Sequence, residues 1–84
     1  MESIREKVID AITIVTGKKS DDLSKMIDDN LMGIKMNLTP LELIYLFEKL
    51  EIDFNVKFTV EDLDNRDFYT ISAITKRIFD YASA

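Results

Sequence analysis

The chain has 84 residues, a net charge of −5, and neither cysteine nor histidine. Its length sets one small domain, and the missing side chains exclude disulfides, thiolate metal sites, a cysteine nucleophile and the imidazole that most often serves as general base or metal ligand. The acidic balance disfavours a nucleic-acid phosphate backbone as partner and suits a basic protein surface.

The spacing predicts a first helix near residues 3–16. Ser3 followed by Glu6 reads as a capping box. Ile4, Val8, Ile12 and Val15 then recur on one helical face. Gly17 is a natural terminator. The β-branched run Ile12 to Thr16 weakens helix propensity, so packing must hold it.

A long connection follows, from Lys18 to Leu38. A structureless loop of that length is unusual, and Asp21 to Ile27 is expected to make a short helical turn with Leu23, Met26 and Ile27 facing inward. Read as a calcium loop from Asp28, Asn30 and Gly33 fit the third and sixth positions. Met32 at the fifth and Thr39 at the twelfth do not, since the last should be a bidentate Glu. An acidic, solvated turn is the better reading, and no metal is expected.

The second long helix, near 39–54, has the most explicit start in the chain. Thr39 is a good N-cap, Glu42 completes a capping box, and Pro40 falls at the first helical position, where its missing N–H costs nothing. Leu38 and Leu43 bracket the cap as a hydrophobic staple. Leu43, Leu46, Phe47, Leu50 and Phe54 form a core stripe. Leu41, Tyr45 and Ile52 fall nearly opposite, with Ile44 and Glu48 beside them. This second stripe either packs beneath the apolar residues 32–36 or forms a contact face.

Asn55 to Phe58 reads as an extended linker burying Val56 and Phe58. Thr59 caps a short helix near 60–65, with Asp62 in the box position and Phe58 against Leu63 as staple. Asp62, Asp64 and Asp67 read as loop carboxylates, and Arg66 among them argues against a cation site. Thr70 opens the last helix, near 70–82, with Ile71, Ile74, Ile78 and Tyr81 on one face. No apolar run is long enough to span a bilayer. The charged start, Met1 to Lys7, lacks a signal-peptide core. A cytoplasmic protein is expected.

The stretch TPLELIYLFEKLEIDFNVKF, residues 39–58, resembles the second helix of acyl carrier proteins. In that family an Asp-Ser-Leu motif opens the helix and a Phe closes it. Counting back from Phe54, Thr39, Pro40 and Leu41 stand where Asp, Ser and Leu are expected. Asp28 to Ile34 resembles the family's Asp-x-x-Leu-x-x-x-Gly loop, in a connection of different length. Val60 to Asp64 and Thr70-Ile71 match its short third helix and the Thr-Val lead-in to its fourth. The resemblance covers roughly Ile4 to Tyr81.

The resemblance implies an all-α, four-helix bundle of acyl-carrier type over residues 1–84. It would have three long helices, one short one and a long loop between helices 1 and 2. The family's serine carries 4′-phosphopantetheine. Pro40 occupies that position without a nucleophile, so no cofactor is expected. The face after the serine is where partner enzymes grip such carriers. Leu41, Tyr45, Glu48 and Ile52 are therefore the implied contact set, although Tyr45 and Ile52 stand where the family often has Glu. Serine-less relatives occur in peptide-maturation systems, which implies a scaffold or interaction role in a biosynthetic or peptide-maturation system. The partner would be a protein, such as a biosynthetic enzyme, with the chain itself a monomer or weak homodimer. Two alternatives stand beside this: a working acyl carrier modified at Ser20 or Ser24, and an unrelated helical interaction module. No nucleophile–base pair can be named, so catalysis is not expected.

Overall fold

Apolar residues every third or fourth position bury one side of each long helix. In the computed structural model, which describes residues 2–83, α1 spans Glu2–Thr16, α2 Ser20–Ser24, α3 Pro40–Phe54, α4 Val60–Asp64 and α5 Ile71–Ser83. A 3-10 turn, Arg66–Phe68, joins α4 to α5. The described residues are all helix, turn and loop. The sequence reading expects four helices, with Asp21 to Ile27 a short helical turn within the connecting loop; the turn falls earlier, and Ser20–Ser24 closes as a fifth, short helix.

α1 packs against both α3 and α5 and also meets α2. Val8 and Ile12 of α1, Leu46 and Leu50 of α3, and Ile71, Ile74 and Ile78 of α5 are fully buried. Each such side chain contributes roughly 1.5–3 kcal/mol relative to exposure. Phe54, expected in the core, sits at its rim instead, half-buried, with the Lys7 ammonium 5.8 Å from its ring centroid. The radius of gyration, 11.6 Å, is that of a compact chain of this length, about 12 Å.

The helix ends follow the sequence signals, with one exception. Gly17 closes α1 at φ 77°, a left-handed conformation, and its N–H donates to the Thr13 carbonyl at 2.7 Å. Asn55 closes α3 in the same region at φ 53°. Thr59 and Thr70 both cap: the Thr59 hydroxyl accepts from the Asp62 N–H at 3.1 Å, and that of Thr70 from the Ala73 N–H at 3.0 Å. The exception is Ser3. α1 already includes Glu2, so Ser3 lies inside the first turn and is not its cap.

The connection between α2 and α3 has no regular structure, yet its first half is tied to the segment that opens α5. The Leu31 N–H donates to the Tyr69 carbonyl at 2.8 Å, and the Ser72 N–H donates to the Ile27 carbonyl at 2.9 Å. Leu31, Met36 and Leu38 are buried, so the loop supplies a layer of core. Leu23 is fully buried as expected; Met26 and Ile27 are half-buried against the same cluster.

Candidate functional site

α3 begins where its first residues demand. Thr39 is extended at φ −79° and ψ 159°. Its hydroxyl accepts from the Glu42 N–H at 3.2 Å, and the Glu42 carboxylate accepts from the Thr39 N–H at 2.8 Å. The box satisfies two of the donors that a helix start leaves open. Pro40 follows at the first helical position and is exposed. Its ring offers no hydroxyl at the mouth of the helix.

Beyond Pro40 the helix is apolar on both sides. The inner side buries Leu43, Leu46, Phe47 and Leu50. The outer side leaves Leu41 57%, Ile44 54%, Tyr45 54% and Ile52 80% exposed, with Glu48 exposed among them. The alternative expectation, burial beneath residues 32–36, does not hold. Ile34 is fully exposed, while Met36 turns into the core. The reason is the pinning of the loop. Leu38 N–H donates to the Leu31 carbonyl at 2.8 Å, and Leu31 is itself bonded to Tyr69, so the loop is drawn toward the start of α5 and away from the outer face of α3. The flank of that face carries an ion pair, Lys49 to Asp53, at 3.1 Å.

Ser20 and Ser24, the alternative attachment serines, lie on α2 and not at the start of α3. Both are exposed, and the Ser24 hydroxyl donates to the Asp21 carbonyl at 2.9 Å. The acidic turn from Asp28 is tied inward to its own backbone: the Asn30 side-chain oxygen accepts from the Met32 N–H at 2.9 Å. Among the described residues no three acidic side chains converge as ion ligands.

Asp62 is the polar residue whose surroundings sequence reasoning missed. It reads as a loop carboxylate, but its side chain is covered. The cap donor Thr59 N–H lies 3.2 Å from its Oδ2, which also accepts from the Tyr81 hydroxyl; Arg77 Nε lies 3.1 Å from Oδ1. Burial alone would raise this carboxyl. The bonds from Tyr81 and the Thr59 backbone, with the Arg77 charge, together outweigh it and hold it below 3.8. The Tyr81 phenol is pushed above 10.0, first by its bond to Asp62 and then by burial. The Thr59-x-x-Asp62 spacing announced one of these partners. The i, i+4 pair Arg77 and Tyr81 was the only sign of the other two.

The fold and its uncovered face define a small, all-helical domain with no helix among the described residues long and apolar enough to cross a membrane. No protein-family model, curated protein or solved structure matches the chain.

Proposed function

We propose that this chain is an acyl-carrier-like domain without a prosthetic arm, which binds a protein partner through the outer face of α3 in a biosynthetic or peptide-maturation system. The observation that carries the reading is the juxtaposition at α3. Pro40 stands where the resemblance puts the modified serine, and Leu41, Tyr45 and Ile52 follow it on an exposed face. A monomeric domain has no packing use for such a face, and exposed apolar clusters of this kind mark interaction sites. Tyr is among the residue types that anchor interfaces.

The arm is tested directly. Incubation with coenzyme A and a broad-specificity phosphopantetheinyl transferase should leave the intact mass unchanged. A gain of one phosphopantetheine, mapped to Ser20 or Ser24, would overturn the reading in favour of a working carrier. The double change Thr39→Asp, Pro40→Ser keeps an N-cap. Modification of that variant shows that the rest of the recognition surface is retained.

The face is tested by Tyr45→Ala combined with Ile52→Glu. Both side chains are more than half exposed, so the pair should change stability by under ~1 kcal/mol and the thermal midpoint by a few degrees, while association with a partner is lost. A drop of several kcal/mol, the signature of a charge forced into a core, would sink the contact-face reading.

A further inference from the structure

The exposed residues of α3 are spaced as a seam. Leu41, Tyr45, Glu48 and Ile52 follow one another at four, three and four residues, the pattern that keeps one helix against another. The pattern is also self-complementary. Turned end for end about a point between Tyr45 and Glu48, the row places Leu41 opposite Ile52 and Tyr45 opposite Glu48, each twice. That is the requirement of an isologous interface, in which one patch meets its own copy.

The polar members fit the same geometry. Among the described residues neither the Tyr45 hydroxyl nor the Glu48 carboxylate has a hydrogen-bond or ion-pair partner within the fold. Opposed across the seam, the phenol donates to the carboxylate, a charge-assisted bond. Glu42 and Lys49 lie seven apart on one shoulder of the seam, but Glu42 already caps Thr39 and Lys49 already pairs with Asp53, so Tyr45 and Glu48 set the direction of the pair. A parallel pair would instead stack Glu48 on Glu48 and leave Tyr45 facing Tyr45.

We propose that the outer face of α3 takes a second copy of this chain, as a weak, twofold, antiparallel homodimer that shields the face until another partner displaces it. The proposal rests on the reading of this face as a contact surface. The seam spans about 17 Å of helix, so the buried area falls below the ~1,200 Å² of a standard stable interface, and the dimer is reversible.

The chain contains no cysteine, so introduced thiols report geometry alone. Leu41→Cys and Ile52→Cys are made as separate single variants, mixed, and equilibrated in a glutathione redox buffer. In the antiparallel pair residue 41 of one copy meets residue 52 of the other, whereas 41 and 41 lie ~17 Å apart, beyond the ~6 Å separation a disulfide allows. The mixed 41–52 disulfide should therefore make up nearly all of the products, well above the statistical half, and outnumber either homodimer by far more than the twofold expected of random pairing. A statistical mixture, or a dominant 41–41 product, overturns the proposal. Sedimentation equilibrium of the unaltered chain should show the mass rising from one protomer toward two between ~10 μM and ~1 mM, and Ile52→Glu should remain at one protomer throughout. A chain that stays monomeric across that range also overturns the homodimer. In that event the thermal midpoint of Tyr45→Ala, Ile52→Glu separates two failures: unchanged, the face is free and the error is the occupant; lowered by many degrees, the face is not free and the reading beneath it falls too.

Discussion

Replacing Phe47 with alanine should cost 3–5 kcal/mol, the range for truncating a buried aromatic. Phe47 sits where α3 meets the linker after it and the 3-10 turn. Its ring stacks on Phe68 at 5.7 Å, meets Phe58 edge-on at 5.6 Å and lies 5.8 Å from Tyr69. Phe58 and Phe68 meet in turn at 5.4 Å. Each such pair is worth ~0.5–1.5 kcal/mol beyond its buried area. The cluster holds the linker and the 3-10 turn against α3. α4 has five residues, far too few to be stable alone, and depends on that attachment. A domain of this size has a total stability of roughly 4–12 kcal/mol, so the variant should lose from about a quarter to all of it. Its thermal midpoint should fall by about 15–30 °C. Urea unfolding of the variant beside Ile52→Ala, whose side chain is exposed, is the direct measurement. A loss under ~1 kcal/mol for Phe47→Ala would show that the aromatic cluster does not hold this end of the fold.

The parts of the fold that were legible in the sequence are those decided locally. The stripe Val8, Ile12 and the stripe Leu43, Leu46, Leu50 are buried as their spacing predicts, because helical period and core burial are one constraint. The boxes at Thr39 and Thr59 form because cap and partner are three residues apart in the same turn. The parts that were not legible depend on distant residues. Leu31, Met36 and Leu38 carry no period, and their burial is set by a backbone bond from Leu31 to Tyr69, thirty-eight positions away. Ser3 has the right spacing to Glu6 for a box, but spacing cannot say that the helix already includes Glu2. The outer stripe of α3 lies between these cases. Its existence followed from helical angle, whereas its exposure depended on where residues 32–36 go, and that is a property of the whole fold.

Asp62 should be the second most sensitive position, and the one that gives the domain its pH dependence. Asp62→Ala removes the carboxylate that accepts from the Thr59 N–H, while the Thr59 hydroxyl still accepts from the backbone N–H of residue 62, and it leaves the Tyr81 hydroxyl and Arg77 without their partner. The lost hydrogen bond to the Thr59 N–H costs about 0.5–1.5 kcal/mol, and a half-buried donor left unmet about 1–3 kcal/mol. The Arg77 guanidinium is 45% exposed, so its ion pair adds at most ~1 kcal/mol after solvent screening. The expected total is therefore ~2–5 kcal/mol. The carboxyl is held below its ordinary 3.8 in the fold, so its stabilising effect is complete above that value and is lost as pH falls through the lower folded value. The phenol moves oppositely. Tyr81 is raised above 10.0, so its share is present below pH 10 and is lost as pH climbs through the folded value. Between these limits the network contributes a constant amount. Unfolding midpoints of the natural chain and of Asp62→Asn, taken from pH 7 down to pH 2, should differ at the start and converge below 3.8, because the neutral amide mimics the protonated acid. Parallel curves across that range would mean that the carboxylate charge is not what holds α4 on α5.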